Sequence, residues 1–228
     1  MSARLGMAAT VAAALLTGCG TDVPEPHPLT MAEAERLALV RYTNYETGVA
    51  FVTARIATGA GVLVLDGRVD FVRHLGHVAL STEGRSDPAS AGLLQWGPTR
   101  VAFRQGLGQR AADPLPPDAW QLRPLRTGGS ELDVTLLLLL NVANDRPDNA
   151  QLLHQSTARW LRSDAVGGTP VDLFEGPTQP GKAARLTYWV DRDGKLRRLD
   201  ARLGDTGAEA TIDFTPGAPP IPPHPAFT

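Results

Sequence analysis

Residues 186–214 read Leu-Thr-Tyr-Trp-Val-Asp-Arg-Asp-Gly-Lys-Leu-Arg-Arg-Leu-Asp-Ala-Arg-Leu-Gly-Asp-Thr-Gly-Ala-Glu-Ala-Thr-Ile-Asp-Phe, and their alternation decides the fold. Leu186, Tyr188 and Val190, then Leu199, Ala201 and Leu203, then Ala208, Ala210, Ile212 and Phe214 share one face. Arg198, Asp200, Arg202, Glu209, Thr211 and Asp213 share the other. A period of two with one wet face is the mark of antiparallel strands, here Arg185–Val190, Leu196–Leu203 and Ala208–Phe214. Asp193-Gly194 and the Gly204 to Gly207 stretch supply the two hairpin turns.

Working outward, short strand-like runs at Ala158–Arg162 and Val171–Phe174 precede this sheet. The middle of the chain reads as helix. Ser130-Glu-Leu-Asp133 forms an N-cap signal ahead of the almost wholly apolar Val134–Val142, and Pro147 opens a second helix through His154. Nearer the start, Thr30-Met-Ala-Glu33 is a capping box for an amphipathic helix reaching Arg41. A strand at Val49–Ile56 follows, then runs at Val62–Leu65, Val69–Arg73, Val78–Thr82, Leu93–Trp96 and Arg100–Arg104, with turns at Asp66-Gly67, Leu75-Gly76 and Gly97-Pro98. The expected class is α+β: an antiparallel sheet with helices on its apolar face.

The N-terminus reads differently. Arg4 precedes an apolar run from Leu5 to Leu16 that ends in Leu16-Thr17-Gly18-Cys19. That run is shorter than the roughly 20 residues a membrane span needs, and it has the layout of a secretory signal. An aliphatic residue, two small ones and the chain's only cysteine form a lipobox-like pattern, so residues 1–18 are expected to be a signal peptide and Cys19 the lipidation site. Residues 19–29, rich in proline, are expected to be a tether, 30–215 one domain, and 216–228 a loosely draped proline-rich tail. The expected location is the outer face of the cytoplasmic membrane, held by the lipid anchor. With one cysteine no internal disulfide forms, and the domain must be held by its core.

Charge and motifs exclude several function classes. There are 22 Lys and Arg against 24 Asp and Glu, a net charge of −2; without Arg4 the balance is 21 against 24, or −3. A basic face for nucleic acid is absent. His74 and His77 form a His-x-x-His pair with no third ligand nearby, and His27, His154 and His224 are scattered, so no metal site is expected. No serine sits in a Gly-x-Ser-x-Gly setting, and Gly106-Leu-Gly108 lacks the helix and lysine of a phosphate loop. Asp191 and Asp193 fall in a hairpin turn, where Asp favours backbone hydrogen bonds over acid–base work. No enzyme, catalytic residue or cofactor is expected. Trp96, Trp120, Trp160 and Trp189 are secondary ligand-contact candidates.

Four segments resemble the LppX/LprG-type lipoproteins of actinobacteria: Gly-Arg-Val-Asp-Phe at 67–71, Ala-Arg-Trp-Leu at 158–161, Gly-Thr-Pro-Val-Asp at 168–172, and Leu186 to Arg198. The last, Tyr-Trp-Val-Asp then Asp-Gly then Leu-Arg-Arg, is the most specific. The resemblance implies a strongly curved antiparallel half-barrel, helices across its concave face, and an apolar cavity holding acyl-lipid or glycolipid. Candidate lining residues are Val52, Ala54 and Ile56 of the first strand, Val134, Leu137 and Leu138 of the apolar helix, and Leu153, Trp160 and Tyr188. Acyl chains would fill such a space at about 0.8 kcal/mol per buried CH2. The same apolar residues equally make a filled core, which would leave a tethered interaction or scaffold module with no lipid ligand and protein partners unnamed.

Overall fold

The computed structural model describes residues 25–87, 91–106, 118–179 and 181–227; the expected signal peptide, Cys19 and the first part of the expected tether lie outside the described residues. Among the described residues, twelve strands form one open antiparallel sheet. The first half of the chain contributes β1 (His27–Pro28), β2 (Val49–Thr58), β3 (Gly61–Asp70), β4 (Leu75–Thr82), β5 (Gly92–Trp96), β6 (Arg100–Gln105) and β7 (Gln121–Pro124). The second half contributes β8 (Arg159–Val166), β9 (Thr169–Glu175), β10 (Leu186–Val190), β11 (Leu196–Leu203) and β12 (Ala208–Pro216). The order is β1-β8-β9-β10-β11-β12-β2-β3-β4-β5-β6-β7. Two meanders, β2 to β7 and β8 to β12, are thus joined where β12 pairs with β2, from Ala210 opposite Ile56 to Pro216 opposite Ala50.

Helix α1 (Met31–Thr47) starts at the expected capping box, with the Thr30 hydroxyl accepting from Glu33 N and the Glu33 carboxylate from Thr30 N. It runs past Arg41 and stops at Gly48, whose φ of 73° few other residues adopt. Helix α2 (Glu131–Asn141) is capped by Ser130. It packs on β2, β4 and β11. Its Asp133 carboxylate accepts from both terminal guanidinium nitrogens of Arg123 on β7, at 3.0 and 2.5 Å.

These contacts require curvature. From β11 to β7 is seven strand spacings, about 33 Å in a flat sheet, whereas an eleven-residue helix is only about 16 Å long. The sheet therefore curls around α2 as a half-barrel, with the main core on its concave face. Large side chains of α2, Leu136, Leu139 and Leu140, lie in one cluster with the small Ala50, Ala54, Ala201 and Ala210 of the sheet, which allow a close approach.

Several boundaries differ from the sequence reading. Asp66-Gly67 is no turn: β3 runs straight through it, because Gly67 sits where a Cβ would strike the His77 carbonyl and Val78 Cα of β4. Leu75-Gly76 opens β4, and the space a Gly76 side chain would take is filled by the Trp96 indole. Pro147 lies ahead of the second helix, and α3 is only Ala150–His154, capped by Asn149. β7 had no alternating pattern to announce it. The boundary at residue 30 also cuts the fold, since His27–Pro28 pair with β8 and Leu29 is buried.

The expected loose tail is instead a strap across the convex face. Proline carbonyls need donors that the proline-rich segment lacks, and the sheet supplies them. Arg68 donates to Pro219 O and Pro220 O, Arg73 to Ile221 O, and Gln95 to Pro222 O at 3.0 Å. The Gln95 side-chain oxygen accepts from His224 N. Arg68, His77, Gln95 and Ala102 form one row across β3 to β6, so the strap crosses that row, and Ile221 on it is 1% exposed.

Two substitutions test this packing. Gly76→Ala forces the buried Trp96 ring to move and is expected to destabilise by about 1–3 kcal/mol. Ile221→Ala is expected to cost about 2–4 kcal/mol, in contrast to the negligible effect a loose tail would show. Both are read by denaturant unfolding.

Candidate functional site

The concave face is two regions of different character. Beneath α2, Val52, Ala54 and Ile56 are 0–1% exposed and belong to a filled core, as does Trp160 beside β1. Nothing the size of water fits beside the three β2 side chains. By contrast Val134, Leu137, Leu138, Leu153 and Tyr188 are half-buried residues packed against the rim of that core. Val134, Leu137 and Leu138 lie three and four residues apart, on the side of α2 turned away from Leu136, Leu139 and Leu140. The outward face of this helix is therefore apolar where a surface helix carries polar residues.

Further half-buried apolar side chains lie on the same face of the sheet as Ile56 and Leu65: Leu63 on β3, Leu80 on β4 and Phe103 on β6. Leu65 and Leu80 are direct cross-strand partners, Leu80 faces Gly92, and the Phe103 ring occupies the space a Gly92 side chain would take. The sequence reading did not single out these three; for Leu63 the supposed turn at Asp66-Gly67 broke the strand whose alternation places it.

A second opening lies at the start of β10. A pocket of about 460 Å³ has Leu186 and Tyr188 of β10 as its apolar floor, with Gly176–Gln179 and Lys182, Ala183 and Arg185 around it. Burial pushes the Tyr188 hydroxyl from near 10 up to about 12, the Asp148 carboxylate adding to the shift and Arg41 opposing it. The loop is tied down by Thr178 N donating to the Thr157 hydroxyl at 2.7 Å. Of the nine lining positions expected from sequence, Tyr188 is the one that lines a pocket described here.

Beside this pocket, Asp172 organises the junction of α1 with β8 and β9. Burial pushes its carboxyl pKa up, but hydrogen bonds from Ser163 and Trp160 and the charge of Arg36, 2.6 Å away, outweigh this and leave it below the usual value. Arg36 also lies 5.3 Å above the Phe174 ring. The group is an internal brace.

The polar candidates have structural duties. His74 sits in the β3–β4 turn with φ 49°, while His77 is buried with Nδ1 at 3.2 Å from Leu94 O. His27 stacks on Trp160, and His154 Nδ1 lies 2.8 Å from Leu29 O. Among the described residues, no group of three or more His, Cys, Asp or Glu is placed to hold a metal. Asp191 is buried despite its turn, accepting from Asp193 N, Lys195 N and Arg197. Gly106 directly follows β6, and the rest of Gly106-Leu-Gly108 lies outside the described residues. Trp96 donates to Leu136 O, Trp120 tilts against His224, and Trp189 donates to Asp200 beneath the Arg162 and Arg198 guanidiniums.

No protein-family model matches the sequence, and no curated protein matches it. Solved structures of similar arrangement include an uncharacterized conserved protein from Thermus thermophilus, at TM-score 0.39 and 11% identity, covering 79% of this chain and 85% of that one. A putative outer membrane lipoprotein-sorting protein domain from Vibrio parahaemolyticus aligns at TM-score 0.28 and 12% identity over 81% and 91%. A LolA superfamily protein from Nitrosomonas europaea aligns at TM-score 0.25 and 10% identity over 83% and 97%. None of these three is described as of the LppX/LprG type, and likenesses this distant carry no argument about the site.

The Tyr188 environment makes an alkaline prediction. Its folded pKa of about 12 lies above the ordinary 10, so the unfolded chain loses the proton first. The stability due to the neutral hydroxyl is complete below about pH 10 and is lost as the pH rises towards 12. Denaturant midpoints across that window are expected to fall less steeply in Tyr188→Phe than in the parent.

Proposed function

We propose that this protein is an exported lipoprotein, anchored through Cys19 on the outer face of the cytoplasmic membrane, which binds the acyl portion of a lipid or glycolipid on its concave side. One observation carries the lipid reading: the outward face of α2, Val134, Leu137 and Leu138, is apolar and half-open on the concave side of an open sheet. Leaving such side chains in water forfeits roughly 25 cal/mol per Å² of apolar surface, which an acyl chain laid along them would recover. Leu63, Leu80 and Phe103 add apolar surface on the same face of the sheet.

The anchor rests on the sequence around Cys19, and the reading is that of a binding protein with no catalytic step. The filled core at Val52, Ala54 and Ile56 favours a second reading, a tethered interaction module with no lipid ligand.

Lipid extraction and native mass spectrometry of the chain from Gly20 onward, purified without detergent, separate the two. Bound acyl species that disappear in Leu137→Ser/Leu138→Ser, at a stability cost below that of a core truncation, are the expected result. Ala54→Trp is expected to unfold the domain by overpacking, since no space adjoins that side chain. A clean unliganded mass, repeated after incubation with host lipids, refutes the lipid reading and leaves the interaction module.

A further inference from the structure

We infer that the pocket floored by Leu186 and Tyr188 is a port for a single-chain anionic amphiphile, its acyl end on those two side chains and its phosphate on Lys182 and Arg185. This deepens the lipid reading above and rests on it. At about 460 Å³ the pocket is in the range of small-ligand sites, about 300–1,000 Å³. Both floor residues belong to the concave face and pack against the main core, so the floor is continuous with the apolar interior. Among the described residues no Asp or Glu lines the pocket, and its charged residues are Lys182 and Arg185. Both side chains are exposed, and among the described residues neither makes an ion pair or side-chain hydrogen bond. Apolar floor and unpaired cationic rim together match a molecule with one acyl chain and one anionic head.

The placement of the pocket agrees with its use at a membrane. Thr178 on the rim is bonded to Thr157, two residues before Arg159, whose guanidinium donates to Pro26 O at 2.8 Å. His27 stacks on Trp160 in the same corner. The rim and the root of the tether therefore share one edge of the sheet. From Cys19 to Pro26 an extended chain reaches about 22 Å at roughly 3.1 Å per residue. Tethering at Cys19 would hold Pro26, at the root of this edge, within that distance of the bilayer surface.

Calorimetric titration of the chain from Gly20 onward, which retains every described residue, tests the port. The probes are lysophosphatidic acid, lysophosphatidylcholine of the same acyl chain, and glycerol phosphate, with both amphiphiles held below micelle formation. The expected result is tighter binding of lysophosphatidic acid by about tenfold or more, the size of one charge-assisted hydrogen bond. Lys182→Glu/Arg185→Glu is expected to abolish that preference while sparing lysophosphatidylcholine, and Ala183→Trp to block both amphiphiles. Unchanged thermal midpoints in these exposed-site variants are the control for folding. Equal affinity for the two amphiphiles, or a preference that survives charge reversal, overturns the port and leaves the lipid reading intact. Glycerol phosphate binding as tightly as lysophosphatidic acid also overturns it, in favour of a free-phosphate site. Failure of both amphiphiles to bind refutes the port, and with a clean unliganded mass the lipid reading falls too.

Discussion

The pairing of β12 with β2, sealed from above by α2, is the constraint on which the rest of the molecule depends. Each meander alone is a short sheet with one apolar face in water. Joined through seven residue pairs from Ala210 opposite Ile56 to Pro216 opposite Ala50, they become one sheet wide enough to curl around a helix. Ala50, Ala54 and Ala210 alternate with larger side chains along the seam, and the leucines of α2 pack in the same cluster. Everything apolar on the concave side then falls either under that helix, where it is core, or beyond its edge, where it stays half open.

The sequence discloses the strands of this arrangement better than their assembly. The clean alternation of residues 196–214 and the capping box at Thr30 are local signals, and the structure follows both. Pairing between strands about 160 residues apart has no local signal, so the seam could not be read. Glycine was the main source of error. Gly67 and Gly76 resemble turn residues, yet each is required by a close approach, one to a neighbouring backbone and one to an indole ring. The proline-rich end misled for a related reason: its bonding partners, Arg68, Arg73 and Gln95, lie far upstream on a face that looked merely polar. For the site, apolar composition picked out α2 and Tyr188, but composition alone did not separate residues under the helix from those beside it.

The two faces of the sheet are stabilised by different chemistry. The concave side under α2 is apolar packing, in which the buried Asn44 amide donates to Val142 O at 2.8 Å. The convex side carries charges and closes part of its surface with the strap, where guanidinium and amide groups hold proline carbonyls. Buried donors and acceptors of this kind set register and position, because a shifted strap would leave several of them unpaired. The strap spans β3 to β5 and so stiffens the half of the sheet opposite the pocket.

That stiffness bears on where a ligand can go. Helix α2 is pinned at its N-terminal end by Arg123 on Asp133, in its middle by the Trp96 indole on Leu136 O, and just past its end by Asn44 on Val142 O. Asp133 is 3% exposed, and its ion pair with Arg123 is lost if the helix moves away from β7. Lifting α2 to hollow the core would break several such bonds and expose Val52, Ala54 and Ile56 together. An acyl chain lying against the outer face of α2, or entering over Leu186 and Tyr188, requires none of this. Ligand binding beside the helix, with the seam intact, is the arrangement that leaves the scaffold's own bonds in place.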